Sequence, residues 1–268
     1  MIAGLLALLL GLLIGSFLNV CIYRLPRDLS VVRPRSYCPA CEAKIAWYDN
    51  IPLASYLILR GRCRTCAARI PVRYPLVEAL TGGLFFLTVW KLGVSLPALK
   101  WCLFEALMVG LVFSDLEERI LPDEFTLGGV AAGLILSALA PMDPGYAYLF
   151  LSPVLRGRWP SVAESVLGAL AGSVLLWLIG KAYNAVRHRE GLGLGDVKMV
   201  AMAGAFLGLH GALQTLVLAS VAGSVAGLIY IRLAKKDYST YELPLGSFLG
   251  ATAIVVGLLQ ALPGIRPG

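Results

Sequence analysis

MVAMAGAFLGLHGALQTLVLASVAGSVAGLIYI, residues 199–231, runs for 33 positions without an Asp, Glu, Lys or Arg. As one helix it would be about 50 Å long at roughly 1.5 Å per residue, well beyond a bilayer core of about 30 Å. The run therefore predicts two membrane helices, with Gly208-Leu209-His210-Gly211 as the turn between them. Composition extends the reading outward. Of 268 residues, 58% are hydrophobic and 15% charged, and the mean hydropathy is +0.78. A soluble domain carries roughly a quarter charged residues. The deficit covers the whole chain and no ten-residue alternation suggests a barrel, so each span is expected to satisfy its own amides as a helix.

Apolar stretches stand near 1–23, 74–90, 92–113, 125–142, 162–180, 197–209, 211–231 and 243–262. The expected fold is an all-α polytopic membrane protein of about eight transmembrane helices. Residues 1–23 form the first transmembrane helix, 24–73 a polar loop domain and 74–268 a transmembrane core. Residues 1–23 carry no charge and the first basic residues, Arg24 and Arg27, follow them, which predicts a retained span rather than a cleaved signal peptide. Of the 23 Lys and Arg, 18 fall in 24–73, 114–124, 181–198 and 232–242, against 5 in the alternate loops. Basic loops stay in the cytoplasm, so this asymmetry puts those four segments inside and both termini outside.

The loop 24–73 holds ten basic residues against Asp28, Glu42 and Asp49, and two CxxC pairs, Cys38–Cys41 and Cys63–Cys66, with 21 residues between them. Each pair can present two sulfurs to one cation, and four thiolates complete a tetrahedron around zinc. Two disulfides are the alternative, which a reducing cytosol disfavours. Four cysteines leave no open position for water, so the expected role of the zinc is to staple a loop with few large apolar residues. The loop's charge suits anionic lipid or an acidic substrate equally. Cys21 and Cys102 lie in apolar segments and read as small core residues.

Two acidic clusters stand at the cytoplasmic ends of spans. FSDLEERILPDEF holds Asp115, Glu117, Glu118, Asp123 and Glu124; GLGLGDVKM, residues 191–199, holds Asp196 and Lys198. Ionisable groups at membrane depth are functional candidates. Asp115 ends the third span and Asp196 opens the sixth, at one depth. Two such carboxylates can share a proton and act as base and acid on a water that attacks a peptide carbonyl. Gly191, Gly193 and Gly195 would let the backbone approach closely. The pattern GxGxGD follows no strand and does not fit a nucleotide loop. Glu117, Glu118 and Glu124 read as solvated, and Asp123, before a helix, as an N-cap. Lys198 is either an interfacial anchor or a counter-charge to Asp196. Glu78 and Glu105, inside apolar spans, require partners or line a substrate path.

GSFLNVCIYRLP, DNIPLASYLILRGRCRTC, RYPLVEALTG, the Asp115–Asp123 cluster and GLGLGD together resemble the type IV prepilin peptidase family, over about residues 15 to 210. The resemblance implies a bacterial inner-membrane aspartic endopeptidase, multi-pass, with its active site facing the cytoplasm. Such an enzyme removes the basic leader from type IV prepilins and type II secretion pseudopilins. It implies Asp115 and Asp196 as the catalytic residues. The four cysteines imply the bifunctional form, which N-methylates the new N-terminus with S-adenosylmethionine. The expected partners are prepilin and pseudopilin precursors and the lipid bilayer, with no nucleic acid. The additional glycine in GLGLGD departs from the family pattern. A proton-coupled transporter using the same aspartates and a non-catalytic zinc scaffold are the rival classes. The first lacks matching halves and leaves the cysteines without a role; the second leaves Asp196 without one.

Overall fold

The computed structural model describes residues 1–142, 145–151, 155–188, 192–234 and 244–261. Gly191 of the glycine run and residues 235–242 of the last basic loop lie outside the described residues. The helices are α1 (Ile2–Arg24), α2 (Ala54–Ile58), α3 (Arg73–Leu92), α4 (Leu96–Glu118), α5 (Asp123–Leu139), α6 (Tyr146–Leu151), α7 (Trp159–Arg187), α8 (Leu194–Ala234) and α9 (Leu245–Ala261). Among the described residues no strand forms; β-pairing is confined to two isolated antiparallel bridges, Tyr37 with Lys44 and Arg62 with Arg69.

Five helices, α1, α3, α4, α7 and α8, are long and apolar enough to cross a membrane. The expected eight is not reached on these grounds, for two reasons. Helices α5 and α9 are 17 residues each, short of the roughly 20 that cross a hydrocarbon core untilted. The two spans expected within 197–231 form α8, whose only departure from helical backbone is at Gly208, with φ 71° and ψ −176°. The expected four-residue turn is thus a one-residue break, in a region of φ that favours glycine.

The backbone groups freed by that break are buried in apolar surroundings and need partners. The Leu209 N–H donates to Glu164 Oε1 of α7 at 2.9 Å. The Leu207 carbonyl accepts from Gln260 Nε2 of α9 at 3.3 Å. A Cβ at position 208 would lie 2.8 Å from the Glu164 side chain. Two polar side chains from neighbouring helices therefore hold the interruption in place.

Residues 1–113 and 114–268 form two compact units, divided within α4. In the first, α1 packs on α3 so closely that a Cβ at Gly15 would lie 2.7 Å from the Glu78 Cα, an approach that small residues permit. Glu78, buried in α3, accepts the Leu53 N–H at 2.8 Å and a hydrogen bond from Ser16. It ties the polar loop to the span, the partner that a carboxylate inside an apolar helix requires. Glu105 accepts from Thr88 Oγ1 at 2.6 Å, joining α4 to α3 in the interior. Cys21 and Cys102 are buried, and neither forms a disulfide among the described residues, as core residues should behave. In the second unit α8 packs against α7, α9 and α5. Met199, Met202 and Phe206, at spacings of three and four, form its buried stripe.

Candidate functional site

Asp115 stands in the last turn of α4 and Asp196 in the first turn of α8. Asp115 is buried and Asp196 half-buried. Asp115 Oδ2 accepts two hydrogen bonds from one residue at the start of α9, the Ser247 N–H at 2.6 Å and the Ser247 hydroxyl at 2.7 Å. The neighbouring Gly246 makes room, since a Cβ there would lie 3.0 Å from Asp115 Cγ. Asp115 is near enough for its charge to be felt at Asp196, whose carboxylate faces the Gly193 N–H. Two helix N-termini, those of α8 and α9, thus meet the two carboxylates, an orientation in which the helix dipoles favour negative charge. Carboxylates coupled in this way can hold one proton between them and orient a water.

The segment between α4 and α5 is built around these contacts. Ser114 Oγ donates to the Ile120 carbonyl at 2.8 Å, closing the turn. A Cβ at Gly195 would lie 3.2 Å from the Leu121 side chain, so this glycine lets α8 begin against the turn. Asp123 is not the N-cap. Pro122 holds that position, and Asp123 is the first helical residue of α5 without a side-chain cap bond. Proline, in the extended backbone that a cap requires, displaces it by one residue. The Asp123 carboxylate instead binds Lys198 Nζ at 2.7 and 2.9 Å. Lys198 is therefore the counter-charge of Asp123, linking α8 to α5. With both side chains partly in solvent, the pair is worth at most about 1 kcal/mol. Glu117 and Glu124 are exposed and Glu118 half-buried.

Ser247 was not legible as a site residue. A Pro and a Gly ahead of it, Pro244 and Gly246, signal a helix start. Nothing local to it names a carboxylate 132 positions away.

In the loop 24–73 the two CxxC segments form matching knuckles. The Cys38 N–H bonds the Ala43 carbonyl at 2.9 Å and the Glu42 N–H returns to the Cys38 carbonyl at 2.8 Å. The Cys63 N–H bonds Ala68 at 2.8 Å and the Ala67 N–H returns to Cys63 at 3.0 Å. Glu42 and Ala67 close the two turns at φ 56° and 57°. The four sulfurs lie within 4.8 Å of one another, and Cys38 Sγ is 3.8 Å from Cys66 Sγ. A zinc–sulfur distance of about 2.3 Å gives a tetrahedron edge of about 3.8 Å. All four cysteines are free thiols, so the set can hold a metal ion. The Cys66 and Thr65 N–H groups aimed at the Cys63 sulfur lower that thiol to about 6. At Cys41 the Ala43 N–H opposes, but the crowding thiols of Cys66, Cys38 and Cys63 prevail and push it up to about 12. Arg64 anchors the second knuckle through a two-point bond to Asp49 at 2.6 and 2.7 Å.

Two family models match the chain. The Bacterial Peptidase A24 N-terminal domain matches residues 9–92, and the Type IV leader peptidase family matches residues 102–231. A prepilin leader peptidase/N-methyltransferase of Myxococcus xanthus (strain DK1622) is 40% identical over 241 residues, or 88% of this chain and 67% of its own. One from Neisseria gonorrhoeae is 36% identical over 254 residues, or 86% of this chain and 82% of its own. The chain belongs to the type IV leader peptidase family.

Family membership makes it a multi-pass bacterial membrane protein and a peptidase with methyltransferase activity. A comparable likeness named Klebsiella pneumoniae prepilin leader peptidase/N-methyltransferase reaches 38% identity over 218 residues, or 79% of this chain and 88% of its own. No solved structure matches the chain. The family models also meet the two polar centres just described, the cysteine loop inside residues 9–92 and both aspartates inside 102–231.

Proposed function

We propose that this leader peptidase is an aspartic endopeptidase that removes the basic leader of type IV prepilins and type II secretion pseudopilins. It then N-methylates the exposed N-terminus. The carrying observation is the coupling of Asp115 to Asp196 at two helix ends, in a chain whose relatives are named for prepilin cleavage. One carboxylate takes a proton from a water between them while the other protonates the departing amine, as in any two-carboxylate site that holds a single proton. Ser247 is a positioning residue: its two bonds fix which oxygen of Asp115 faces away from the reacting water. A prepilin carries its basic leader at the cytoplasmic edge of an apolar helix. A site at the cytoplasmic ends of α4 and α8 lies at the depth of that scissile bond. Incubating the purified full chain with a prepilin and mapping the new N-terminus tests the reading; an uncleaved substrate rejects it.

In this reading residues 24–73 are a zinc-stapled cytoplasmic domain and 74–268 the peptidase core, in the inner membrane. Zinc would be held by Cys38, Cys41, Cys63 and Cys66 and supply folding energy rather than a reactive water. The methyl donor of such enzymes, S-adenosylmethionine, does not suit the cavity between α1 and the polar loop, lined by Leu13, Phe17, Arg24, Arg35 and Trp47. There Arg24 and Arg35 would face its sulfonium cation, and no carboxylate lines the wall to accept ribose hydroxyls. The methyl-transfer step is therefore assigned to no residue.

Two measurements bear on this reading. Removing the Ser247 hydroxyl withdraws one hydrogen bond to a charged group, worth roughly 1.5–3 kcal/mol. Ser247→Ala is expected to slow cleavage by about tenfold or more, and Ser247→Thr, which keeps the hydroxyl, to restore most of it. Equal rates for Ala and Thr variants would show that the hydroxyl positions nothing. The second is topology, where eight crossings are proposed, with tilted α5 and α9 and the two parts of α8 counted separately. Cysteine-accessibility mapping should place 24–73, 181–195 and 232–242 in the cytoplasm. Residues 143–160 on that same side would overturn the eight-crossing arrangement.

A further inference from the structure

The first unit carries a positive site that the peptidase reading does not use. On α1, Leu13, Phe17, Val20 and Arg24 follow at spacings of four, three and four, one above another on a single helix face. Together with Arg35 and Trp47 of the loop they line a cavity of about 330 Å³. Leu13 and Phe17 are 59% and 51% exposed. On a membrane span such exposure means contact with hydrocarbon, so the cavity opens to the bilayer along this stripe. Arg24 closes the other end at 5% exposure.

The guanidinium of Arg24 donates to the Ser30 carbonyl at 2.9 Å and lies 5.8 Å from the Tyr37 ring centre. No carboxylate pairs with it among the described residues. Taking a cation out of water without an anion is costly, and the cost is recovered when an anion enters. Arg35, exposed on the loop wall, likewise has no carboxylate partner among the described residues. Trp47 is an exposed indole of the kind that sits at head-group level. From Leu13 to Arg24 the helix rises about 16 Å, the reach from head group into the bilayer core.

We propose that this cavity binds one anionic phospholipid, its phosphate between Arg24 and Arg35 and an acyl chain along Leu13, Phe17 and Val20. The site gives Arg24 and Arg35, two of the ten basic residues of 24–73, a partner that a basic leader cannot be. It pins the cysteine loop to the membrane surface. It stands independently of the aspartate chemistry.

The full chain in neutral detergent, mixed with phosphatidylglycerol or phosphatidylcholine and weighed by native mass spectrometry, tests the site. One phosphatidylglycerol should be retained in preference to phosphatidylcholine. Arg35→Gln should weaken that retention about fivefold, the factor expected for one basic residue at an anionic surface. Arg35 is the deciding position because Arg24 also holds the Ser30 carbonyl, so its loss disturbs the loop itself. Arg33→Gln, exposed on the same loop but outside the cavity lining, should leave retention unchanged. An equal loss from Arg33→Gln would assign the effect to diffuse loop charge and overturn the proposal. Displacement of the lipid by excess inorganic phosphate, or by S-adenosylmethionine, would overturn it as well.

Discussion

Asp115→Asn and Asp196→Asn are each expected to abolish prepilin cleavage, lowering it by at least about 10³-fold, with the double variant little worse than either single one. In the proposed mechanism the two carboxylates act as one unit around one proton. Asn keeps the size and the hydrogen-bonding oxygen of Asp but cannot ionise, so each single variant leaves one carboxylate where the reaction needs a base and an acid together. At Asp115 the substitution also leaves the two Ser247 donors with a weaker acceptor, but the fold around them is retained. Glu117→Gln and Glu118→Gln, farther along the same helix end, should cost far less. The control that separates chemistry from folding is methylation of an already-cleaved peptide. If it persists in Asp115→Asn, the protein is intact and only hydrolysis is lost. Vigorous cleavage by either Asn variant, with the fold confirmed, would end the aspartate-pair reading and leave the family assignment untouched.

The second large effect is expected at the cysteines. Purified protein should carry about one zinc per chain, and Cys38→Ser with Cys66→Ser should release it. These two sulfurs belong to different knuckles and stand 3.8 Å apart, so the pair of substitutions takes one ligand from each half of the cluster. A structural zinc site contributes on the order of 10 kcal/mol to its small domain. The loop has little else of that size: beside the knuckle turns it has single hydrogen bonds such as those of Arg24 and Ser55, the Arg64–Asp49 pair and the Glu78 tether. Residues 24–73 should therefore become protease-sensitive while the helices of the spans keep their circular dichroism. Binding should also release protons, since Cys41, pushed up to about 12, gives one up on coordination. Protein free of metal, with disulfides mapped between the knuckles, would refute this.

Much of the architecture is carried by local pattern. Charge-free stretches announce helices because a bilayer leaves the backbone no other way to satisfy itself. The paired CxxC spacing announces the cysteine cluster because each knuckle is a six-residue local structure. Asp115 and Asp196 stand out because a carboxylate beside 33 uncharged residues, or at the end of a run like MVGLVFS, has no cheap reason to be there.

Which polar groups meet is a different matter. Ser247 with Asp115, Lys198 with Asp123, and Glu164 and Gln260 with the two sides of Gly208 join positions 45 to 132 residues apart. Each partner is a common residue in an unremarkable local setting, and helical periodicity reports only which face is apolar. The glycine pattern around 208 suggested a turn, yet the chain breaks at one residue, because side chains from α7 and α9 reach in to satisfy the freed amide and carbonyl. Asp123 likewise became an ion-pair partner once α8 brought Lys198 across to it. The sequence by itself determined the all-helical architecture, the four-cysteine set that could hold a metal and the two candidate carboxylates. Only the tertiary structure decided what orients them, because a buried polar group must find its partner among whatever the packing of distant helices puts within about 3 Å.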